Sequence, residues 1–402
     1  MTSSHVRHYS VTTLRQLARR GRRAVFGNPT PGPLYLVSAA GQPNFGDEFI
    51  TRVWLEFLAR AHPDVDVWLD CPEPGRAAHI FRRSHPRLRT TNTLWQLAQL
   101  PAEEGPAGFP VIERFMRDGG SPKIDLGLRA LGEMGSIHLL GGGYIASLWP
   151  RHLGVVMGAV AARRQFGMPL YITGQGWVPQ DTDARSWLRG ARNEFDVAEA
   201  RDEQTAEEFD LDLGVDDAYL AFGPYTPPVF STAAPDVMLL LQGDMIQHMG
   251  REATLAVLDA FLTRFGRGRS VGVMEAIPPE DSWLLDDVRR LAPRATFVPF
   301  TRVWHEGFPA HDDQQWLTTR FHAHLVAAAG GAAGTVVSVL PGYYDVKHEL
   351  LLRNGTGWAY APSVQDLAQH MPAPTRSLHF PETARAFGAE KLSLAARLYP
   401  WR

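Results

Sequence analysis

From residue 33 onward, short apolar runs alternate with stretches in which apolar side chains recur every three to four positions. That alternation is the signature of βαβ units feeding a largely parallel sheet. Residues 33–38 predict a first strand, and residues 41–47, small and polar, predict the loop after it. Residues 49–59 then put Phe49, Ile50, Val53, Trp54, Phe57 and Leu58 at helical spacing, with Asp47 where an N-cap belongs. Further strands are predicted at 65–69, 136–140, 170–173 and 197–200. Residues 70–130 show no regular period.

The pattern breaks at 222–235, where Pro224, Pro227, Pro228 and Pro235 crowd a stretch without period, the mark of a linker. It resumes with strands expected at 237–241, 270–275, 296–299, 316–318 and 335–340. Helices are expected at 251–265, 281–291, 321–329 and 345–353. Two successive α/β halves imply an α/β fold of two Rossmann-like domains facing a cleft, with ligands outside the carboxyl ends of the strands. The expected organisation is a basic arm at 1–32, one domain at 33–222, a second at 236–365, and a helical segment at 366–402.

Charge narrows the partners. Lys+Arg 40 against Asp+Glu 43 gives a net charge of -3, with no global basic field for a nucleic acid. The single cysteine, Cys71, forms no internal disulfide, and no apolar run follows the N-terminal basic residues, so a cytoplasmic enzyme of small substrates is expected. Arg15, Arg19, Arg20, Arg22 and Arg23 crowd a segment with Leu14, Leu17, Val25 and Phe26. A frayed surface arm is the leading reading of residues 1–30, and contact with an anionic membrane surface the lesser one.

Several predicted strand ends carry chemistry. Gly141, Gly142 and Gly143 let a backbone or ligand approach closely and expose amide donors, or serve a tight turn. Gly174-Gln175-Gly176 repeats the arrangement. Neither is a dinucleotide fingerprint, and no Walker phosphate loop is present. Arg201 follows a strand, where a guanidinium grips a carboxylate or phosphate or pairs with Glu199 or Glu203; Asp202 caps the next helix. Thr318-Thr319-Arg320-Phe321-His322-Ala323-His324 sits between a strand and an Ala-rich helix, where amides and the helix dipole favour an anion. A bound dianion there would favour protonated His322 and make it a general acid. His324, about 200 degrees further round the helix, points elsewhere. His305, His311, Asp312, His322 and His324 lack the spacing of a metal site. Lys347, beside Tyr343 and Tyr344, adds a cation at another strand end or a solvated helix lysine. Trp149, Trp177, Trp304 and Tyr225 are candidates for stacking on a sugar ring, with core burial the competing use.

Taken in order and spacing, Asn44-Phe45-Gly46-Asp47-Glu48, Gly141-Gly142-Gly143, Gly174-Gln175-Gly176, Arg201-Asp202, Arg320-Phe321-His322 and Tyr344 with Lys347 resemble the polysaccharide pyruvyl transferase family over about residues 40–360. The resemblance implies a GT-B-like fold. It also implies metal-free, cofactor-free transfer of a pyruvyl group from phosphoenolpyruvate to a sugar, glycan or glycolipid acceptor, commonly as a cyclic ketal. Carried onto this chain, it makes His322, Arg320 and Asp47 catalytic candidates. Arg320, Lys347, Arg201, Gly141, Gly142, Gly143, Gly174, Gln175 and Tyr344 become donor-site candidates, and Asn44 and Asp47 acceptor-side candidates. Asp47 has helix capping as its competing use. Gly330-Gly331-Ala332-Ala333-Gly334 and Pro341-Gly342 depart from the short turns the family would have there. Two other classes share such a fold: a GT-B glycosyltransferase using a nucleotide sugar, and a non-catalytic anion or sugar binder.

Overall fold

The computed structural model describes residues 32–224, 228, 230–244, 246–340 and 344–401. The basic arm with its lesser membrane reading, Tyr225, Tyr343 and the Pro341-Gly342 turn lie outside the described residues. Among the described residues the strands form two sheets, and every pairing within them is parallel. The first contains β1 (Leu34–Val37), β2 (Val67–Asp70), β3 (Leu88–Thr91), β4 (Ser136–Leu139), β5 (Leu170–Gln175), β6 (Val197–Ala200) and β7 (Asp212–Leu213), in the spatial order β3-β2-β1-β4-β5-β6-β7. The second contains β8 (Val237–Leu240), β9 (Val271–Met274), β10 (Thr296–Val298), β11 (Gln315–Thr318), β12 (Ala333–Val337) and β13 (Ala359–Ala361), in the order β10-β9-β8-β11-β12-β13. Both orders reverse once, between β1 and β4 and between β8 and β11. Those reversals are the points where doubly wound sheets open a crevice.

The apolar runs become central strands because helices cover both faces. All four residues of β1, β4 and β8 are buried, as expected for parallel strands sandwiched between helices. The first helix, Phe45–Ala61, starts earlier than its periodicity suggests. Its cap is Asn44, in extended conformation, whose Oδ1 accepts from the Gly46 N–H at 3.3 Å. Asp47, expected at the cap, lies in the first turn instead and is left to other uses. Gly174 and Gln175, expected in a loop, end β5, with a register irregularity between Ile172 and Gln175 and a left-handed Gly174 at φ 55. The aperiodic stretch 70–130 folds into β3 and the helices Pro74–Ile80, Thr93–Leu97, Phe109–Asp118 and Asp125–Leu131, and all of these helices but Phe109–Asp118 are too brief to show a period.

The two halves touch along the first helix. Phe45 donates its N–H to Ala276 O at 2.9 Å and its ring lies 5.1 Å from that of Phe308. Trp304 Nε1 donates to Ile80 O at 3.2 Å. The last helix, Phe380–Leu398, follows the second sheet in sequence but packs on the 3-10 helix Asp217–Phe222 of the first half. Among the described residues no helix is long and apolar enough to cross a membrane.

Candidate functional site

The two sheet reversals face each other, and the residues after their central strands meet. From the first half come Gly46 and Asp47 after β1, the Gly141–Gly143 turn after β4, Gly176 after β5, Arg201 after β6, and Asp216. From the second come Phe321 and His322, which open the helix Phe321–Ala329, and Lys347 on the helix Tyr344–Arg353. The glycines set the spacing. A Cβ built on Gly143 would lie 2.9 Å from both Arg201 Nη2 and Lys347 Nζ. One built on Gly176 would lie 2.7 Å from Arg201 Nε, and one on Gly46 would lie 2.9 Å from His322 Cγ and closer still to Nδ1. Only hydrogen at these positions lets the three side chains come so close to the backbone.

Arg201 is buried, its guanidinium held by Asp216 Oδ2 at 2.8 Å and centred 4.8 Å from the Phe321 ring of the opposite half. Asp202 caps the following helix, accepting from Thr205 N at 2.8 Å, so the Arg201 side chain is aimed by a fixed backbone. The other Asp216 oxygen faces His322 Nε2 at 3.4 Å and accepts from Ala218 N at 2.8 Å. Burial pushes the Asp216 carboxyl up, but His322 and Arg201 outweigh it and hold it well below the usual carboxylate range. Asp47 has the opposite balance. Burial holds it above its ordinary value despite the opposing charges of His322, Lys347 and Arg201. Its Oδ2 accepts from Asn44 Nδ2 at 2.7 Å, which fixes its rotamer. Lys347 lies well below the ordinary lysine range because it is desolvated and stands beside Arg201. An anion arriving beside it would raise its proton affinity.

Arg320 is turned elsewhere. Its Nη2 donates to Asp244 Oδ1 at 2.8 Å and Asp281 Oδ1 at 2.6 Å, clasping the loops after β8 and β9 at the reversal of the second sheet. Asp281 is fully buried and its second oxygen accepts from Ala276 N and Ile277 N. Gln175, named for the donor from the motif, is also fully buried. Its Nε2 donates to the carbonyls of Leu140 and Thr173 at 2.9 and 3.1 Å and its Oε1 accepts from Trp177 Nε1, so it rivets the strand ends from beneath. Gly174 likewise lies under the site, against Asp217. Tyr344 opens the helix that carries Lys347. His324 is buried, bonded to Thr356 Oγ1 at 3.0 Å and stacked on Trp358.

Of the sugar-stacking candidates, Trp177 is in the core and Trp304 is half-buried between Phe300 and Phe81. Trp149 is 37% exposed, beside exposed Leu148, in the loop leading from the glycine turn. Asp216 completes the cluster without having been singled out from the sequence, and Gly46 and Phe321 were named there only inside their motifs, with no role of their own. A carboxylate pair, Asp216-Asp217, ahead of a buried apolar run was the available signal for the first. Arg201 and Lys347 fill their own space, leaving a cavity of about 10 Å³ between them. A larger cavity, about 720 Å³, opens at the opposite ends of the first sheet's strands, among Pro33, Arg117, Arg129, Glu133 and Phe166, and none of the cluster lines it.

Known folds agree with this architecture. A UDP-GlcNAc 2-epimerase from Neisseria meningitidis, bound to UDP-GlcNAc, superposes with a TM-score of 0.51 at 9% identity, covering 91% of this chain and 99% of that one. An Arabidopsis thaliana protein complexed with UDP-L-rhamnose superposes with a TM-score of 0.50 at 11% identity, covering 92% and 95%. At such identities the likeness is one of fold: two Rossmann-like domains of the GT-B kind. No curated protein matches the chain in sequence. Residues 44–232 match the family model of polysaccharide pyruvyl transferase, so the resemblance read from the motifs holds over that segment, Arg201 and Asp216 included, while His322 and Lys347 lie beyond it.

Proposed function

We propose that this chain transfers a pyruvyl group from phosphoenolpyruvate to hydroxyls of a sugar or glycan precursor, at the cleft between its two halves. The observation that carries the reading is the meeting of Arg201 and Lys347, from opposite halves, around Gly143, with His322 beside Gly46 and joined to Arg201 through Asp216. Phosphoenolpyruvate presents a carboxylate and a phosphate, and such a ligand needs several cations and backbone donors together. The family match over residues 44–232 supports the chemistry.

In this scheme Arg201 and Lys347 hold the donor's anionic groups, and the side chains part to admit them. His322 gives its proton to the methylene carbon of the enol as an acceptor hydroxyl attacks the adjacent carbon. The hydroxyl proton passes to Asp47, whose raised proton affinity suits a base. Asp216 pairs with the imidazolium before the transfer and keeps the ring in place. A second acceptor hydroxyl then attacks the same carbon and returns a proton to His322. The bond from that carbon to the phosphate oxygen breaks, the departing phosphate takes the proton held by Asp47, inorganic phosphate leaves, and the product is a cyclic ketal. Arg320 takes part in donor binding only by exchanging Asp244 for the ligand.

Calorimetric titration with phosphoenolpyruvate, for wild type, Arg201→Ala and Lys347→Met, tests the reading. Binding by wild type that is lost in both variants is expected. Binding of a nucleotide sugar instead would turn the assignment to glycosyl transfer. Phosphoenolpyruvate binding with no phosphate release across an acceptor panel would leave a binder and not an enzyme.

A further inference from the structure

Lys391 stands on the C-terminal helix Phe380–Leu398, far in sequence from every residue of the cleft, and its side chain is fully buried. A buried ammonium is costly unless paired. Two carboxylates meet it, Glu199 of β6 and Asp217 Oδ1, the latter at 3.0 Å. Burial alone would lower its proton affinity, but these carboxylates raise it above the ordinary lysine value.

What Lys391 balances is the floor of the site. Asp217 Oδ2 accepts three hydrogen bonds, from Trp54 Nε1 at 2.8 Å, Thr173 Oγ1 at 2.7 Å and the Gly141 N–H at 2.8 Å. Glu199 Oε2 accepts from Gly174 N at 3.2 Å. The fit is close: a Cβ on Gly174 would lie 2.6 Å from Asp217 Oδ1, and one on Gly141 would lie 3.0 Å from Asp217 Cγ. One lysine charge therefore lies beneath both glycine turns. The preceding residue, Asp216, faces the other way and holds Arg201 and His322. Consecutive aspartates at the start of one 3-10 helix thus link a buried network to the cleft.

We propose that Lys391 is a positioning residue of the anion site, acting through Asp217 on the Gly141–Gly143 turn and on Asp216. Without its charge, Asp217 keeps a buried carboxylate with one counter-charge fewer, loses its fixed place, and releases the Gly141 amide and the backbone that aims Asp216. The effect on the donor rests on the proposed function. The effect on the glycine turn does not.

Lys391→Met is compared with wild type and with Leu394→Ala, a buried position on the same helix outside the network. Backbone amide hydrogen exchange and calorimetric titration with phosphoenolpyruvate are measured where each protein is fully folded. The expected result is faster exchange in peptides spanning 139–143 and 173–176 and at least tenfold weaker phosphoenolpyruvate binding in Lys391→Met. Leu394→Ala lowers Tm and changes neither. Unchanged exchange in Lys391→Met, or the same changes in Leu394→Ala, overturns the proposal. If Lys391→Met does not fold, the uncharged pair Lys391→Met with Asp217→Asn replaces it, with the same expected and refuting exchange results. If wild type does not bind phosphoenolpyruvate, the donor reading fails and exchange alone decides the role of Lys391.

Discussion

Gly46→Ala separates folding from chemistry. A methyl group at residue 46 would lie 2.8 Å from His322 Cε1 and 2.9 Å from Cγ, where ordinary contact is 3.4–4 Å. The ring must withdraw by about 1 Å or more, because repulsion at such range is steep. The withdrawal also disturbs the 3.4 Å contact with Asp216. Gly46 is in the first turn of a helix and not in the left-handed region, so alanine adds helix propensity worth up to about 1 kcal/mol. The first half should therefore stay folded, with Tm within a few degrees of wild type. A displacement of about 1 Å in a catalytic group costs on the order of 10²-fold, or about 2.7 kcal/mol in the barrier. Phosphate release from phosphoenolpyruvate with an acceptor is the assay for kcat, and calorimetry reads donor affinity. The expectation is kcat down about a hundredfold with donor affinity far less changed. Wild-type kcat in a folded Gly46→Ala protein would refute the placement of His322 as the proton donor.

Other outcomes follow from the same contacts. An anion entering the cleft should raise the depressed proton affinity of Lys347, so phosphoenolpyruvate binding at alkaline pH should take up protons, read as a dependence of calorimetric heat on buffer ionisation enthalpy; Lys347→Met should lose that uptake, and an unchanged value would refute it. Arg320→Ala strips a partner from buried Asp281 and should cost roughly 3 kcal/mol of stability, seen as a lower Tm; full stability with loss of donor affinity alone would make Arg320 a donor ligand instead. Glu48 is buried and pushed up to about 8, so the unfolded chain releases its proton at lower pH than the folded one. Stability should fall as pH rises from 4.5 towards 8, and Glu48→Gln should remove up to a few kcal/mol of that fall in urea unfolding, leaving the part due to the other raised carboxyls, Asp70, pushed up to about 7, Asp47 and Glu199. A pH profile identical to wild type would place the Glu48 carboxylate in contact with water.

Period and punctuation in the sequence were enough for the doubly wound halves, because parallel strands buried on both faces read as apolar runs, and the helix Phe321–Ala329 was legible to the residue. The motifs pointed to His322, Lys347, Arg201, Asp47 and the Gly141–Gly143 turn, since glycines and cations at strand ends are a local signal. What local pattern does not carry is which side chain a charge will choose. Arg320 and His322 are two residues apart, yet one turns to Asp244 and Asp281 and the other crosses to Asp216, because φ, ψ and rotamer at the helix start send them to opposite sides. Asn44 took the cap from Asp47, and Gln175 went under the floor, for the same reason: competing hydrogen-bond partners are settled only once the strands are in register. Lys391 carried no local sign at all. Its importance arises from the return of the last helix onto the first half, a contact set by burial of apolar surface across nearly two hundred residues of chain, and only tertiary structure could bring that charge beneath the glycine turns.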